Sequence, residues 1–173
     1  MADSLRILGI DPGLNITGYG VVEITGAGAR AEEAGIIRGT RRAPLDIRVR
    51  DIYDGVADVL VAFRPSVVAI EELYSHYKRP KTAILMGHAR GVICLAAAQK
   101  EIPVVHYAAT QVKRILTGSG RAPKHQVQHA ICRELGLASP PEPPDVADAL
   151  AIALCHVYLG NVTNSIRLMR HLQ

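Results

Sequence analysis

The chain has 173 residues, of which 49% are hydrophobic, and such a chain can bury one core of ordinary size but hardly two. None of its apolar stretches reaches the roughly 18 residues of a membrane span, and its first residues lead into a strand instead of a signal-peptide core. Cys94, Cys132 and Cys155 have no CxxC spacing and lie in helix-like stretches, which is typical of reduced, buried thiols. We therefore expect a cytoplasmic protein with no membrane association. A single domain is expected over residues 1–160, with a short C-terminal tail over 161–173, a kind of region that is often poorly ordered.

The first 40 residues have the pattern of three strands joined by short turns. The segment LRILGID, residues 5–11, is a buried strand that ends at Pro12-Gly13. Further β-rich runs cover residues 17–24 and 32–40, with glycines in the turn between them. Short turns join neighbouring antiparallel strands, so the sequence predicts an antiparallel meander.

Beyond residue 44 the apolar residues change to helical spacing, and helices then alternate with strands. A strand, a helix and a second strand in succession imply parallel pairing with helices packed on the sheet. We expect an α/β fold with a central five-stranded mixed sheet flanked by helices. The predicted helices are 45–63, 82–99, 109–116, 124–135 and 145–158, and the two remaining strands are 66–71 and 103–107.

Four carboxylates lie where apolar runs begin or end. Asp11 and Glu71 each follow a strand-forming run, and Asp145 and Asp148 open the last apolar helix on a shared face. Four acids brought together would repel one another unless divalent cations lay between them, and Mg²⁺ prefers oxygen ligands. The pattern predicts a site holding two Mg²⁺ ions, with Mn²⁺ as the alternative, for displacement at a phosphate. The formal charge of +4 must then lie elsewhere, which indicates a polyanionic partner.

Three of the four acids also have a simpler interpretation. Asp11 precedes Pro-Gly and could be an ordinary turn aspartate. Asp145 and Asp148 could stabilise a helix N-terminus, worth about 0.3–1 kcal/mol each. The basic excess could belong to an ordinary basic protein. Two strand-end acids are unusual, however, and Glu71 is preferred over Glu72, which faces the other way on an extended strand.

Six ordered blocks carry a family resemblance over about residues 5–160: GIDPGLNITGYGVV, AIEELY, HARGV, AATQVK, KHQVQHAI and DVADALAIAL. In this order and spacing they resemble the RuvC family of bacterial Holliday-junction resolvases. The resemblance implies an RNase H-like fold, a homodimer that binds a four-way DNA junction, and partnership with the RuvA and RuvB branch-migration proteins. Its catalytic and metal-binding acids match Asp11, Glu71, Asp145 and Asp148.

The resemblance also implies roles for several residues around the acids. Lys113 and Lys124 match lysines near the scissile phosphate, although two solvated lysines are the simpler interpretation. Tyr74 falls where an aromatic ring stacks on an unpaired base, although a tyrosine after a strand more often packs in a core. The loop of residues 75–81 departs from the family pattern, and its basic residues predict generic backbone binding. They are Lys78, Arg79 and Lys81.

The expected activity is structure-selective hydrolysis of DNA by paired symmetric nicks, which leave 5′-phosphate and 3′-hydroxyl ends. Two alternatives belong to other classes: a different RNase H-like nuclease such as a YqgF-type protein, and a non-catalytic junction-binding module. The lysines and the TGYGV block argue against the first, and the complete set of four acids argues against the second. The apolar segment 82–99 is the candidate for part of a dimer interface.

Overall fold

The structure is a computed structural model that describes residues 5–73 and 80–170, with side chains described up to residue 160. The described residues form five strands and five helices. In chain order they are β1 (Leu5–Asp11), β2 (Ile16–Thr25), β3 (Gly28–Arg38), α1 (Leu45–Phe63), β4 (Val67–Glu71), α2 (Pro80–Ala98), β5 (Val104–Tyr107), α3 (Ala109–Thr117), α4 (Lys124–Leu135) and α5 (Pro144–Arg170).

The five strands form one mixed sheet in the order β3-β2-β1-β4-β5. The β1–β2 and β2–β3 pairs are antiparallel, whereas β1–β4 and β4–β5 are parallel. Short turns join the antiparallel strands, whereas α1 carries the chain from β3 to β4 and α2 carries it from β4 to β5. The predicted meander, the parallel half and the five-stranded sheet flanked by helices are confirmed.

Alternate residues of the central strands supply two separate cores, one on each face of the sheet. Ile7 faces a core that it shares with α3, α4 and α5. Leu8 and Ile10 face the opposite core, which α1 and α2 cover. We call these the α5 face and the α1 face. Because successive side chains of a strand point to opposite faces, every residue in register with Ile7 lies on the α5 face.

The helix ends are best predicted where a local stop signal exists. Arg64 caps α1 in the left-handed conformation, with its backbone N–H on the carbonyl of Leu60, and Pro65 follows. Gly136 caps α4 in the same way. The predicted bounds of both helices are confirmed.

Two elements differ from their predicted bounds by four residues or more, and the others that differ do so by one or two. Strand β3 begins at Gly28, four residues early, because the turn after β2 needs only Gly26 and Ala27. Helix α5 continues to Arg170, past the end predicted near residue 158, because a glycine inside a helix costs only about 1 kcal/mol relative to alanine. The backbone of residues 161–170 is therefore helical, while the division into a domain over 1–160 and a tail stays a prediction. Among the described residues, no helix is both long and apolar enough to span a membrane.

Candidate active site

Two of the four acids end neighbouring parallel strands. Asp11 is the last residue of β1 and Glu71 the last of β4, and the register between these strands pairs Ile10 with Ile70. Asp11 and Glu71 therefore follow paired residues and start from adjacent positions at one edge of the sheet. Ile10 and Ile70 face the α1 core, so both acids belong to the α5 face.

Glycines on β1 and β2 let helix α5 approach the sheet at backbone distance. A Cβ atom placed on Gly9 would lie 2.1 Å from the carbonyl oxygen of Ala149, and one on Gly18 would lie 2.0 Å from that of Asp145. No side chain fits in either space. Gly18 pairs directly with Asp11 in the sheet, so the first turn of α5 lies against the strand position beside Asp11.

The carboxylates act on one another electrostatically. The pKa of Asp11 is raised to about 8 from an ordinary value of 3.8. Burial is the largest cause, and the carboxylates that add to it are those of Glu71, Asp148 and Asp145. Burial also raises the pKa of Glu71, and Asp148 adds to that shift. Acids from β1, β4 and α5 are therefore close enough to repel one another, as the sequence analysis expected.

Both predicted lysines lie beside the acids. Nζ of Lys124 is 2.9 Å from Oδ2 of Asp148, and Lys113 lowers the pKa of Glu71. An open cleft of about 210 Å³ is lined by these four side chains together with Ala109, Val127 and Ala151. The cleft therefore has two ammonium groups beside the carboxylates of Glu71 and Asp148.

The donor set fits a hard divalent cation, because carboxylate oxygens are the ligands that Mg²⁺ and Mn²⁺ prefer. Repulsion among the acids, expressed in the raised pKa values of Asp11 and Glu71, is what a bound cation would relieve. In the described part of the chain, no three acidic, histidine or cysteine side chains converge closely enough to hold one ion as they stand. The ammonium group of Lys124 instead provides the positive charge at Asp148.

Sequence reasoning missed two residues that support the acids. Arg90 of α2 lowers the pKa of Glu71, and one of its terminal nitrogens donates to Nδ1 of His106 over 2.8 Å. Its signal in the sequence was an arginine in the middle of a mostly apolar helix. Thr17 is fully buried, and its hydroxyl group donates to the carbonyl of Gly13 and accepts from the Gly13 N–H. These two bonds fix the turn that follows Asp11.

The remaining predicted site residues are placed as follows. Tyr74, Lys78 and Arg79 lie outside the described residues. Lys81 is exposed in the first turn of α2 and is not among the described residues that line the lysine-bearing cleft. Glu72 is exposed, whereas Glu71 is half-buried at the strand end, which supports the preference for Glu71.

Comparisons with known sequences identify the family of the chain. The family model for crossover junction endodeoxyribonuclease RuvC matches residues 7–156. A crossover junction endodeoxyribonuclease RuvC from Rhodopirellula baltica is 55% identical over 155 residues, which cover 90% of this chain and 87% of the relative. Its counterpart from Thermotoga maritima is 46% identical over 153 residues, covering 88% of this chain and 90% of the relative.

Solved structures with the same fold also match the chain. RuvC of T. thermophilus in complex with a Holliday junction substrate matches with a TM-score of 0.87 and 38% identity, covering 92% of this chain and 96% of that one. The yeast mitochondrial Holliday junction resolvase matches with a TM-score of 0.64 and 14% identity, covering 95% and 86%, and shows the fold alone.

The sheet order, the flanking helices and the acids at the strand ends define an RNase H-like nuclease. Within that class, the chain belongs to the RuvC family of crossover junction endodeoxyribonucleases. The family consists of metal-dependent nucleases.

Proposed function

We propose that this chain resolves Holliday junctions in DNA recombination and repair as a structure-selective endodeoxyribonuclease. The observation that carries the proposal is the meeting of four carboxylates and two lysines at one sheet edge, in a member of the RuvC family. The enzyme cuts opposed strands by paired symmetric nicks and leaves 5′-phosphate and 3′-hydroxyl ends, which can be ligated directly. Residues 1–160 serve as a single nuclease domain.

The four carboxylates are the proposed ligands of two Mg²⁺ ions, with Mn²⁺ as an alternative. Such ions supply a water of lowered pKa and stabilise the attacking and leaving oxygens of an in-line displacement. The chain's own contribution is to hold its acids in place. Helix α5 fixes the position of Asp145 and Asp148 by packing on glycines, and Thr17 fixes the turn after Asp11.

Lysine and arginine side chains partly neutralise the negative charge of the site. Lys113 and Lys124 line the cleft beside Glu71 and Asp148, where their ammonium groups stabilise negative charge that develops on the phosphoryl oxygens. They also contribute counterion release when DNA binds. Lys113 and Arg90 lower the pKa of Glu71 and so favour its ionised form, against the effect of burial.

A homodimer fits both the substrate and the surface of α2. Ile84 is 62% exposed and Leu95 is 50% exposed on this helix, as expected for an apolar surface that another subunit covers. A twofold dimer matches the symmetry of a four-way junction and presents two sites to opposed strands. The family also implies association with RuvA and RuvB and action in the cytoplasm.

The segment of residues 74–81 is the proposed contact to the crossover. Tyr74 stacks on an unpaired base, and such a stack contributes roughly 1–3 kcal/mol. Lys78, Arg79 and Lys81 bind the DNA backbone by charge. The exposure of Lys81 supports its part in this contact.

Cleavage of a synthetic mobile four-way junction with Mg²⁺ or Mn²⁺ tests the proposal. Wild type and Asp11→Asn are compared on the junction, on linear duplex and on an RNA–DNA hybrid. We expect paired symmetric nicks in the junction by wild type, and binding without cutting by the variant. A junction that is bound but never cut with either metal would make the chain a binding module. Preference for the hybrid would instead place it with another RNase H-like nuclease.

A further inference from the structure

A second basic surface lies on the opposite side of the acids from Lys113 and Lys124. It is an open cleft of about 670 Å³, here called the arginine cleft, lined by Asn15, Ile16, Arg38, Gly39, Thr40 and Arg41. We propose that the arginine cleft binds the backbone phosphates of a DNA strand that flank the cleaved bond. The inference rests on the proposed nuclease function and adds to it a phosphate-binding subsite.

The sheet register fixes where this cleft lies relative to the acids. Asp11 pairs with Gly18, and Gly18 pairs with Ile36, so Arg38 lies two strands and two residues away from Asp11. Ideal sheet spacings make that separation about 12 Å between the Cα positions. Arg38 is two residues after Ile36 on β3, so the two side chains leave the same face of the sheet. Ile36 packs against the α5-face core, and this is the face that carries the acids. About 12 Å equals the rise of three or four base pairs along the axis of a duplex.

The loop that carries the arginines is tied to the turn that follows Asp11. The backbone N–H of Gly39 donates to the carbonyl of Asn15 over 3.2 Å, and the guanidinium group of Arg48 donates to Oδ1 of Asn15 over 2.6 Å. A Cβ atom on Gly39 would lie 2.4 Å from the carbonyl oxygen of Leu14, so the two segments touch at the backbone. This contact holds the arginine cleft at a fixed place relative to Asp11.

The guanidinium groups of the cleft are available to an anion. Arg38 and Arg41 are exposed, and neither forms an ion pair within the described part of the chain. The carboxylate of Asp51 accepts the N–H of Thr40 over 2.7 Å and forms its ion pair with Arg50, at 4.0 Å. A planar guanidinium group can donate two parallel hydrogen bonds to two oxygens of one phosphate, which suits it to a DNA backbone.

A continuous surface joins the arginine cleft to the acids. Asn15 and Ile16 line the arginine cleft and also a neighbouring cleft of about 400 Å³, whose other residues include Pro12, Gly13 and Asp145. A strand that places one phosphate at the acids can therefore run over the turn after Asp11 to reach Arg38. The acids then lie between two basic surfaces, with lysines on one side and arginines on the other.

Junction binding at several salt concentrations without divalent cations tests the subsite. The double variant Arg38→Gln/Arg41→Gln is compared with Arg64→Gln/Lys100→Gln, which removes the same charge from two exposed side chains at the opposite edge of the sheet. We expect the first variant to bind the junction about tenfold more weakly and to lower the slope of log K against log salt by about 2, one for each lost contact. The control variant retains the wild-type slope.

Uncharged methylphosphonates at successive positions beside the cleaved bond then locate the contact. In wild type, substitution at the contacted phosphates weakens binding, and in Arg38→Gln/Arg41→Gln the same substitutions have no further effect. Equal affinities and slopes for the two double variants would overturn the subsite. That result is separate from failure of the proposed function, which would appear as a wild-type protein that neither binds nor cuts the junction.

Discussion

The two faces of the sheet are covered in different ways. On the α1 face, Leu8, Ile10 and Ile70 project bulky side chains into α1 and α2, and the contact is made between side chains. On the α5 face, Gly9 and Gly18 project nothing, and the backbone of α5 lies directly against the strands. When a residue changes, side chains can adjust by rotating into new rotamers. A contact between two backbones can be relieved only by moving a whole segment. The face that carries the acids is therefore the face with the least room for adjustment.

The largest effect on stability is expected on the α1 face. Leu8 is fully buried there, and Leu8→Ala should lower the free energy of unfolding by about 2–5 kcal/mol because it leaves a cavity. Urea denaturation measures this loss. Cleavage per folded molecule should stay near the wild-type rate, since Leu8 points away from the acids. A large loss of cleavage at full folding would show that the two faces are not independent.

On the α5 face, a single methyl group should disable the site, because it meets backbone and not a flexible side chain. Gly18→Ala places a Cβ atom in the space of the Asp145 carbonyl oxygen, so the first turn of α5 must move away from Asp11. A misplacement of about 1 Å costs roughly 100-fold in rate. Single-turnover cleavage of the junction measures it, with circular dichroism to verify folding. A variant that folds and cuts at the wild-type rate would remove the argument for backbone docking.

The acids should make the α5 face sensitive to pH. The pKa of Asp11 is raised to about 8 in the folded chain, against 3.8 as its ordinary value. Its contribution to stability is therefore fully present below about pH 4 and is lost as the pH rises through about 8. A pKa difference of only one unit between the folded and unfolded states changes the free energy of unfolding by about 1.4 kcal/mol. A change of that size shifts the Tm of a chain of this length by roughly 3–6 °C.

Asp11→Asn should accordingly raise the Tm of the metal-free protein by at least that amount near pH 8. Near pH 3, below the ordinary pKa of 3.8, Asp11 is largely neutral in both states, and the two proteins should melt together. Adding Mg²⁺ at about pH 8 should stabilise wild type more than the variant, because the cation relieves the repulsion. Thermal melts with and without EDTA decide this. Equal melting temperatures near pH 8 would mean that Asp11 is not held in a repulsive field.

The smallest predicted effect concerns a polar pair on the α5 face. The hydroxyl group of Tyr107 lies 2.6 Å from Nδ1 of His156, and burial lowers the pKa of this histidine below its ordinary 6.5. The stability that neutral His156 supports is present above about pH 6.5 and is lost as the pH falls through its lower folded pKa. His156→Gln should cost about 1 kcal/mol near neutral pH and lose less stability on acidification than wild type.

Tyr107→Phe is the matched control for that prediction. It removes the hydrogen bond but keeps the imidazole group, so its stability should still fall with acid as in wild type. Urea midpoints near pH 7.5 and near pH 5 measure both variants. Parallel acid responses of His156→Gln and wild type would show that other groups control stability in this range.

The sequence predicted most of what depends on local pattern. The ends of α1 and α4 follow from helical spacing with a cap or a proline behind it, and the strand-end position of Asp11 and Glu71 follows from the apolar runs before them. Contacts between distant segments were not predictable. The sequence around Gly18 does not indicate that the backbone of a helix from the other end of the chain will occupy the space beside it. The effect of Arg90 on Glu71 and the pairing of Lys124 with Asp148 likewise exist only after the elements have packed.

The docking of α5 on the first two strands also sets when the site can exist. Asp11 belongs to the first strand, whereas Asp145 and Asp148 belong to a helix that follows every other element of the sheet. Contacts between such distant segments form late in folding. During synthesis, a chain that has already formed β1 and β2 therefore holds an unfilled glycine surface and an incomplete set of acids. The full set of four acids is therefore assembled only once α5 has packed on β1 and β2.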